Sequence, residues 1–450
     1  MILLVIKTVE IILKSILIIL LGFGAYSAIW NIYLTIITFK GFGKIERDYK
    51  MEEDKTRFLL LVAAHNEEDV IGSTIDSLRG IDYDKNLYDI VIINDNCTDR
   101  TLEICKSKKV KYVDTSLQKF EREGVGKPGG IQYALRDVGF ENIKNNYDLV
   151  MVFDADNHVS SNLLKEVNSQ FINSDNPEAI QVYIDSKNSK SLIALGYSMS
   201  FFINNRFLQY AKYKKKLPVY IGGTGFAIRS DYLISKDGFK CSSLTEDLEF
   251  AVDIWLSGGK VVWNHFARVY DEKPDSLKVS IKQRTRWCMG HSYVAIKRFK
   301  SIIKHAMSRQ DLKVSLDVFI HLFSIGRALQ YVVLLVGFFI STLGLLIARL
   351  DIYTDLYFTQ ILSSMAFVGG LGTLLLIYNY FILPIYCLKH DLNEKFSLRH
   401  TLSLLLYSFS FIYPQIRGLI KWRDQSVWVK TQHVYNARFD LDNGEVLNKA

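Results

Sequence analysis

The chain has few cysteines and few charged residues, and each shortage excludes a class of protein. Its five cysteines form no C-x-x-C pair, which argues against a disulfide framework or a structural zinc site. Charged residues make up 23% of the 450 residues and aromatic residues 13%, so a disordered chain is excluded. No nucleic-acid-binding motif accompanies the net charge of +8, so we expect no nucleic-acid partner and assign the basic excess to membrane flanks.

The sequence also lacks a cleavage signal after its first apolar run. Residues 15–39 form a 25-residue stretch without charge, long enough to span a bilayer, and no small-residue cleavage site follows. Basic residues after this run place the next part of the chain in the cytoplasm. Further apolar segments cover residues 328–348, 361–388 and 401–416. The last has 16 residues and contains Pro414, which predicts an interfacial or re-entrant helix.

Between these runs, residues 56–268 alternate short apolar stretches with amphipathic ones. The pattern predicts buried strands at 58–63, 88–93, 109–113 and 149–153, and a helix at 67–79. Strands that alternate with helices predict an α/β domain with a mainly parallel sheet covered on both faces. Ligands bind beyond the carboxyl ends of such strands, where this chain has polar clusters. These clusters are His65-Asn66-Glu67, Asp95-Asn96 and Asp154-Ala-Asp156.

The pattern divides the chain into five parts. Residues 1–50 form a transmembrane helix and basic linker, 51–275 the cytoplasmic α/β domain, and 276–327 basic amphipathic helices at the membrane interface. Residues 328–420 form a C-terminal transmembrane region, and 421–450 a cytoplasmic tail. We therefore expect a multi-pass protein of the plasma membrane.

Asp154 and Asp156 are the strongest candidate metal ligands. Two carboxylates one residue apart at a strand end can share a divalent cation that in turn binds a diphosphate, and Mg²⁺ and Mn²⁺ favour this arrangement. A solvated turn is the alternative for such a pair. Asp95 ends another strand, where its carboxylate can accept hydrogen bonds from a base or sugar while Thr98 or Asp99 caps the next helix.

Two glycine-rich segments suit close approach by a ligand. Residues 124–130 contain Lys127 but lack the G-x-x-x-x-G-K-[ST] spacing, which argues against a Walker-type nucleoside triphosphatase. A lysine beside flexible backbone still suits a diphosphate, although a mobile surface loop is the simpler alternative. Residues 222–226, which include Gly223 and Thr224, allow a ligand near the backbone, or form a turn only.

Two further motifs carry groups for acid–base chemistry and sugar binding. Glu246 and Asp247 precede an amphipathic helix, so one can cap it and the other can act as a general base. Gln283, Arg286 and Trp287 share one face of a predicted helix. An indole face can stack on a sugar and an arginine can neutralise a leaving phosphate, while an interfacial tryptophan among headgroup-binding arginines is the alternative.

In this order the motifs resemble those of the membrane-embedded family 2 glycosyltransferases, the group of cellulose, chitin, hyaluronan and poly-N-acetylglucosamine synthases. The matching segments are Ala64-His-Asn-Glu67, Asp95, Gly126-Lys127, Asp154-x-Asp156, Thr245-Glu-Asp247 and Gln283-x-x-Arg286-Trp287, over about residues 57–290. The tail segment Trp428-Val-Lys-Thr431 resembles the W-x-x-T element of several synthases. The chain departs from the family at Asn94-Asp95-Asn96-Cys97, where the common sequence is Asp-Asp-Gly-Ser.

The resemblance implies a GT-A fold that uses a UDP-sugar and Mg²⁺ or Mn²⁺. It implies that Asp156 and Asp154 bind the metal and that Asp247 is the catalytic base. The nucleotide-sugar site it implies contains Ala64, Asn66, Glu67, Asp95, Lys127 and Asp154. The implied acceptor or diphosphate site contains Gly223, Thr224, Glu246, Gln283, Arg286 and Trp287.

The resemblance also implies the reaction. Direct in-line attack by an acceptor hydroxyl on the anomeric carbon inverts it, so the product is a β-linked glycan that grows by one sugar. Transfer of one sugar to a lipid or lipid-linked acceptor is the alternative, since it would use the same catalytic residues. The expected partners are the UDP-sugar, a glycan or lipid acceptor, the bilayer, and an accessory subunit or a second copy for polymer export.

Overall fold

A computed structural model describes residues 2–308, 311–324, 326–349, 356–426, 438–440 and 445–447. Its strands are β1 (Phe58–Ala64), β2 (Tyr88–Asn94), β3 (Lys111–Asp114), β4 (Leu149–Asp154), β5 (His158–Val159), β6 (Ala179–Ser186), β7 (Phe226–Arg229), β8 (Val261–Asp271), β9 (Arg438–Asp440) and β10 (Glu445–Leu447). The first eight form one sheet in the order β3-β2-β1-β4-β7-β6-β8-β5, while β9 and β10 pair separately.

The central sheet is mixed and mainly parallel, which confirms the predicted α/β class. The four strands β3, β2, β1 and β4 run parallel, and β8 runs parallel to β6. Strand β7 lies antiparallel between β4 and β6, and β5 pairs antiparallel with the end of β8. The predicted strands lie within two residues of the observed ones at each end. In β1, β2 and β4 the apolar runs are buried on both faces, whereas β3, at the edge of the sheet, is partly exposed.

Both faces of the sheet are covered by hydrophobic core. In β1, Leu59 and Leu61 pack into the core on one face, while Phe58, Leu60 and Val62 pack into the core on the other. This alternation follows from the two-residue period of a strand. All five side chains are fully buried, so the sheet is a rigid base for the residues at its carboxyl edge.

Helices surround the sheet and continue beyond it. They are α1 (Ile2–Thr38), α2 (Ile71–Arg79), α3 (Thr101–Ser107), α4 (Lys127–Val138), α5 (Phe140–Asn146), α6 (Leu163–Asn173), α7 (Leu192–Asn204), α8 (Ala211–Lys214), α9 (Ser230–Ser235), α10 (Glu246–Leu256), α11 (Leu277–Met307), α12 (Leu312–Leu322), α13 (Arg327–Arg349), α14 (Leu356–Ile377), α15 (Leu383–His390), α16 (Leu398–Phe409) and α17 (Ile412–Ile420). A π-helical segment, Asn205–Tyr210, joins α7 to α8, and another, Tyr378–Ile382, joins α14 to α15.

The predicted helix at 67–79 begins later than expected, at Ile71. The backbone N–H of Glu67 donates to the Thr101 hydroxyl at 2.8 Å, and the backbone N–H of Glu68 donates to Asp99 at 3.1 Å. These bonds to the neighbouring loop hold residues 67 and 68 outside the helix. The prediction was wrong here because it used the spacing of apolar residues within 67–79, and that spacing contains no information on contacts with residues 99 and 101.

Three helices that flank the sheet domain are long and apolar enough to cross a membrane. They cover Lys14–Gly41, Leu329–Ile347 and Thr359–His390, in agreement with three of the four apolar runs in the sequence. The fourth run, 401–416, falls on α16 and α17, which are 12 and 9 residues long. The division at residues 50, 275, 327 and 420 stays a prediction.

A buried polar network connects the three long apolar helices. Asn31 donates to Gln330 at 2.8 Å and accepts from the Tyr331 hydroxyl at 3.2 Å. Asn379 donates to that same hydroxyl at 2.9 Å. Polar side chains between apolar helices favour association because each would otherwise lack a partner.

The buried carboxylate of Asp317 connects the first apolar helix, α1, to helices α8 and α12. Lys212 of α8 donates to Asp317 of α12 at 2.8 Å, and the Asp317 side chain has no exposed surface. Asp317 also accepts from the hydroxyls of Tyr33 in α1, at 2.8 Å, and Tyr220, at 3.4 Å. One carboxylate therefore holds three elements, and removal of one partner leaves an uncompensated buried charge.

We expect Asp317→Ala to lower the free energy of unfolding by about 3–5 kcal/mol, because Lys212 would stay charged and buried without its partner. Chemical unfolding of the detergent-solubilised protein measures the change. The double variant Lys212→Met/Asp317→Leu should recover much of the loss, and Asp231→Ala, whose carboxylate is exposed, is the control. Wild-type stability in Asp317→Ala would contradict this role for the pair.

Candidate active site

Three strand ends bring the polar clusters of the sequence together. Ala64 of β1 lies opposite Asn94 of β2, and Ala63 lies opposite Asp154 of β4. The backbone N–H of Asp95 continues the β1–β2 pairing and donates to the Ala64 carbonyl at 2.8 Å. The parallel register thus sets Asp95 and Asp154 on either side of the end of β1, at the carboxyl edge where ligands bind in such sheets.

The Asp95 carboxylate is held by an arginine that the sequence motifs did not indicate. Arg122 donates to both carboxylate oxygens, at 2.5 and 2.8 Å, and the Thr115 hydroxyl donates at 2.9 Å. Helix α4 approaches closely because Gly130 has no side chain, since a Cβ there would lie 3.2 Å from Asp95. A bidentate guanidinium fixes the plane of the carboxylate.

Lys127 starts α4 and points across the cavity to the Asp154-Ala-Asp156 turn. Its Nζ donates to Asp154 Oδ1 and to the Gly223 carbonyl, both at 2.5 Å. Gly126 before it has φ of +65°, a conformation that favours glycine. Burial alone would lower the pKa of Lys127, but the carboxylates of Asp154 and Glu246 outweigh burial and raise that pKa.

The Asp154–Asp156 turn is shaped by two neutral side chains. The Asp154 backbone N–H donates to Asn157 at 3.0 Å and to the Thr224 hydroxyl at 3.1 Å. Asn157 in turn donates to Asp156 at 3.2 Å. Lys187, which the sequence analysis did not single out, donates to the Asp156 carbonyl.

The donor set at this turn fits a hard divalent cation. No group of three or more His, Cys, Asp or Glu side chains gathers for a metal within the residues that the structure describes. Asp154 and Asp156 supply two carboxylates, and Mg²⁺ and Mn²⁺ commonly take few protein carboxylates and complete their shell with substrate phosphate and water. The residues present therefore suit a cation that binds together with a diphosphate.

Glu246 and Asp247 open α10 and line the same cavity. Asp247 Oδ1 accepts from the Leu248 backbone N–H at 2.8 Å, so the carboxylate is fixed at the helix start. Burial and the neighbouring Glu246 carboxylate raise the pKa of Asp247 to about 7. Burial also raises the pKa of Glu246, against the opposing charges of Lys127 and Arg286. A carboxylate with such a pKa is matched to proton transfer near neutral pH.

Gln283, Arg286 and Trp287 project from α11 into the same cavity. Arg286 donates to the Leu244 carbonyl at 3.0 Å, and Gln283 accepts from the Tyr197 hydroxyl at 2.8 Å. The Trp287 ring meets Tyr197 edge to face at 6.1 Å. Trp287 thus lines the cavity, and its role in binding a sugar stays a prediction.

Arg284 holds α11 in position, although it lies outside the motif. Its side chain is fully buried and donates to the Tyr407 carbonyl at 2.7 Å and to Ser410 at 2.9 Å. The guanidinium also lies 4.7 Å from the centre of the Tyr407 ring. The sequence analysis did not single out Arg284, because its partners lie more than 120 residues away along the chain.

A cavity of about 1970 Å³ gathers nearly all the predicted site residues. Of the predicted residues, Ala64, Glu67, Asp95, Lys127, Asp154, Asp156, Gly223, Thr224, Glu246, Asp247, Gln283, Arg286 and Trp287 line it. Asn66 does not line it, because its side chain turns to the next loop and accepts from the Thr98 backbone N–H at 2.6 Å. Asn66 therefore supports the loop geometry, and its ligand role stays a prediction. Trp428 and Thr431 lie outside the described residues.

Four contributors to the site were missed by sequence reasoning: Arg122, Asn157, Lys187 and Arg284. No spacing rule singles them out. Arg122 reaches Asp95 only because the chain returns toward β2 before α4 begins. Asn157 follows Asp156 directly, so its place beside the acidic pair was the one signal available in the sequence.

Several known proteins are similar to this chain. The protein named "Probable glycosyltransferase YdaM" of Bacillus subtilis (strain 168) is 24% identical over 359 residues, which is 79% of each chain. A probable glycosyltransferase of Sulfolobus acidocaldarius is 29% identical over 371 residues, covering 80% of this chain and 74% of the relative. A beta-monoglucosyldiacylglycerol synthase of Synechocystis is 29% identical over 239 residues, 51% of this chain and 47% of that enzyme.

A solved structure shares the fold. The mannosyltransferase PcManGT from Pyrobaculum calidifontis, in complex with GDP-Man and Mn²⁺, aligns with a TM-score of 0.51 and 15% identity. The alignment covers 82% of this chain and 99% of that one. This likeness supports the glycosyltransferase GT-A fold for the sheet domain.

Residues 56–290 match the family described as "Glycosyltransferase like family 2". The match spans 235 of the 450 residues and contains every residue of the cavity motifs, from Ala64 to Trp287. The strand-end carboxylates, the buried lysine and the α10 acids therefore lie within the family segment, and the chain belongs to the family 2-like glycosyltransferases.

Proposed function

We propose that this glycosyltransferase transfers a sugar from a UDP-sugar, with inversion, to a growing β-linked polysaccharide at the cytoplasmic face of the plasma membrane. The observation that carries the proposal is the position of Asp247. Its carboxyl, with a pKa of about 7, lines the same cavity as Lys127, Asp154 and Trp287. A base, a diphosphate site and a sugar platform are what such a transfer needs.

The donor would bind along the strand ends. The Asp95 carboxylate accepts hydrogen bonds and suits the N–H of uracil, once Arg122 yields part of its contact. Asp154 and Asp156 would hold Mg²⁺ or Mn²⁺, which neutralises charge on the diphosphate when bound. Lys127, whose Nζ donates to Asp154 in this structure, would bind a phosphate of the donor. The Pyrobaculum enzyme, solved with GDP-Man and Mn²⁺, supports a nucleotide-sugar with a divalent cation.

The chemical step would use Asp247 as the base. The acceptor hydroxyl loses its proton to the Asp247 carboxylate while its oxygen attacks the anomeric carbon, and the bond to the nucleoside diphosphate breaks with its electrons on the phosphate oxygen. Attack opposite the leaving group inverts the carbon. Arg286 lies near enough to Glu246 and Asp247 to affect the pKa of both and would stabilise the departing charge.

Two acceptors fit the chemistry. A growing glycan is favoured by Trp287, whose ring beside the cavity can stack on a terminal sugar. Staphylococcus aureus poly-beta-1,6-N-acetyl-D-glucosamine synthase, 22% identical over 246 residues, supports the same acceptor class. Single transfer to a lipid is the second candidate, supported by the Synechocystis relative, a beta-monoglucosyldiacylglycerol synthase. Polymer export would involve an accessory subunit or a second copy.

We expect Asp247→Asn to lower kcat by about 10²-fold or more, because an amide cannot accept the proton. The wild-type rate should rise with pH through about 7, since deprotonation of Asp247 creates the base, and fall as the carboxyl protonates. Release of UDP from a panel of UDP-sugars measures the kcat of the variant and the pH dependence of the wild-type rate. Asp253→Asn, on the same helix but away from the cavity lining, is the control. Near-wild-type turnover in Asp247→Asn would remove Asp247 as the base.

Asp156→Asn should abolish metal-dependent binding of UDP, and a chelator should have the same effect on the wild type, because carboxylate and diphosphate share the cation. Calorimetry with UDP and Mn²⁺ measures this. Asp175→Asn, whose side chain is 93% exposed, is the matched control. Unchanged UDP affinity with the chelator present would exclude a metal role for this pair.

Trp287→Ala should reduce transfer to the acceptor far more than it reduces UDP binding, because orientation of the attacking hydroxyl depends on the sugar platform. Hydrolysis of the donor by water should persist, since water needs no platform. Product formation compared with total UDP release separates the two, and Trp422→Ala, outside the cavity lining, is the control. If both activities stay intact and only membrane association weakens, Trp287 is an anchor.

A further inference from the structure

Arg122 and Asp95 form a salt bridge at the place where the proposed donor binds its base. Both residues line the cavity. The two Nη atoms of the guanidinium donate to the two carboxylate oxygens, at 2.5 and 2.8 Å. The Arg122 side chain is 32% exposed and the Asp95 side chain 12%, so the arginine is the more accessible member of the pair. A base that contacts Asp95 therefore also meets Arg122.

The two carboxylate oxygens of Asp95 differ in how many hydrogen bonds they accept. Oδ1 accepts from Arg122 at 2.5 Å, from the Thr115 hydroxyl at 2.9 Å and from the Asn96 side-chain amide at 3.2 Å. Among the described residues, Oδ2 accepts from Arg122 alone, at 2.8 Å. Since a carboxylate oxygen has about two lone-pair sites, Oδ2 can accept a further N–H, whereas Oδ1 cannot.

The loop that carries Arg122 fixes the guanidinium in this position. Its Nη2 also donates to the Gly126 carbonyl at 2.9 Å. Gly129 leaves room for the side chain, because a Cβ there would lie 3.2 Å from Nε of Arg122. Contacts on two sides hold the guanidinium against Asp95, so little further ordering is needed when a ligand binds. The three hydrogen bonds leave other N–H groups of the guanidinium for a ligand.

Uracil and guanine make different demands on this pair. Uracil presents a single N–H between two carbonyl oxygens, so it can donate to Oδ2 of Asp95 while Arg122 keeps its bond to Oδ1 and donates to a carbonyl of the base. Guanine presents two adjacent N–H groups, which suit the same two carboxylate oxygens as the guanidinium does. Guanine therefore has to displace Arg122 from both oxygens, and this displacement breaks a bidentate ion pair.

We propose that Arg122 is a specificity-determining residue that selects uracil over guanine in the donor nucleotide. It does so by leaving Asp95 room for a single further N–H and by offering its own N–H groups to a carbonyl of the base. The inference rests on the proposed function, in which the donor is a UDP-sugar and Asp95 contacts its base. Loss of Arg122 would vacate both positions on the carboxylate and open them to the paired N–H groups of guanine.

The test measures the affinities of UDP and GDP for the full-length protein in nanodiscs, by calorimetry with Mn²⁺ present. The two nucleotides share ribose and diphosphate, so the ratio of their dissociation constants reports the base alone. Arg122→Gln removes the charge and the paired donors, whereas Arg122→Lys keeps a charge without the planar fork.

Arg57→Gln is the matched control. Arg57 precedes β1 and donates to both carboxylate oxygens of Asp148, at 2.8 and 3.2 Å, so it forms the same kind of pair. Its side chain is 39% exposed, close to the value for Arg122, and it is not among the residues that line the cavity. A general effect of losing an Arg–Asp pair would therefore appear in this variant as well.

We expect the wild type to bind UDP about tenfold or more tightly than GDP, and this ratio to fall about fivefold or more in Arg122→Gln. Arg122→Lys should give an intermediate ratio, and Arg57→Gln the wild-type ratio.

An unchanged ratio in both Arg122 variants, with UDP still bound, overturns this inference and leaves the proposed function intact. Equal affinity of the wild type for UDP and GDP overturns it too. So does an equal loss of both nucleotides in the two Arg122 variants, because Arg122 would then hold Asp95 in place without selecting the base. Absence of UDP binding in the wild type would contradict the proposed donor and, with it, this inference.

Discussion

The site depends on the balance of charge in a cavity that gathers several carboxylates. Asp95 is held by Arg122, and Asp154 is held by Lys127. Burial of a carboxylate is unfavourable unless a cation or hydrogen bond compensates it. Asp247 is the member of this group left with the least compensation, and its pKa accordingly rises to about 7. The same imbalance that is costly for folding makes this carboxyl suitable as a base.

These charges lie together because backbone segments approach closely at glycines. Gly290 of α11 meets the backbone of Thr245, where an added Cβ would come within 2.6 Å of the Thr245 nitrogen. This contact brings the face of α11 that carries Trp287 against the start of α10 and Asp247. A larger residue at position 290 would separate Trp287 from Asp247.

The first apolar helix, α1, is connected to the cavity through direct contacts. Asp317 connects α1, α8 and α12 around Tyr220, and the loop after Tyr220 leads to Gly223 beside Lys127. A shift of α1 would therefore move Asp317 and Tyr220, and through the loop after Tyr220 it would change the position of Gly223 beside Lys127.

The sequence by itself determined the α/β class, three apolar helices and thirteen of the residues that line the cavity. These could be read from the sequence because the apolar period, the length of an apolar run and the polarity of a strand end are local properties. The tertiary structure alone decided how α2 begins, where Asn66 points, and that Arg122 holds Asp95. Each of these depends on a partner far along the chain.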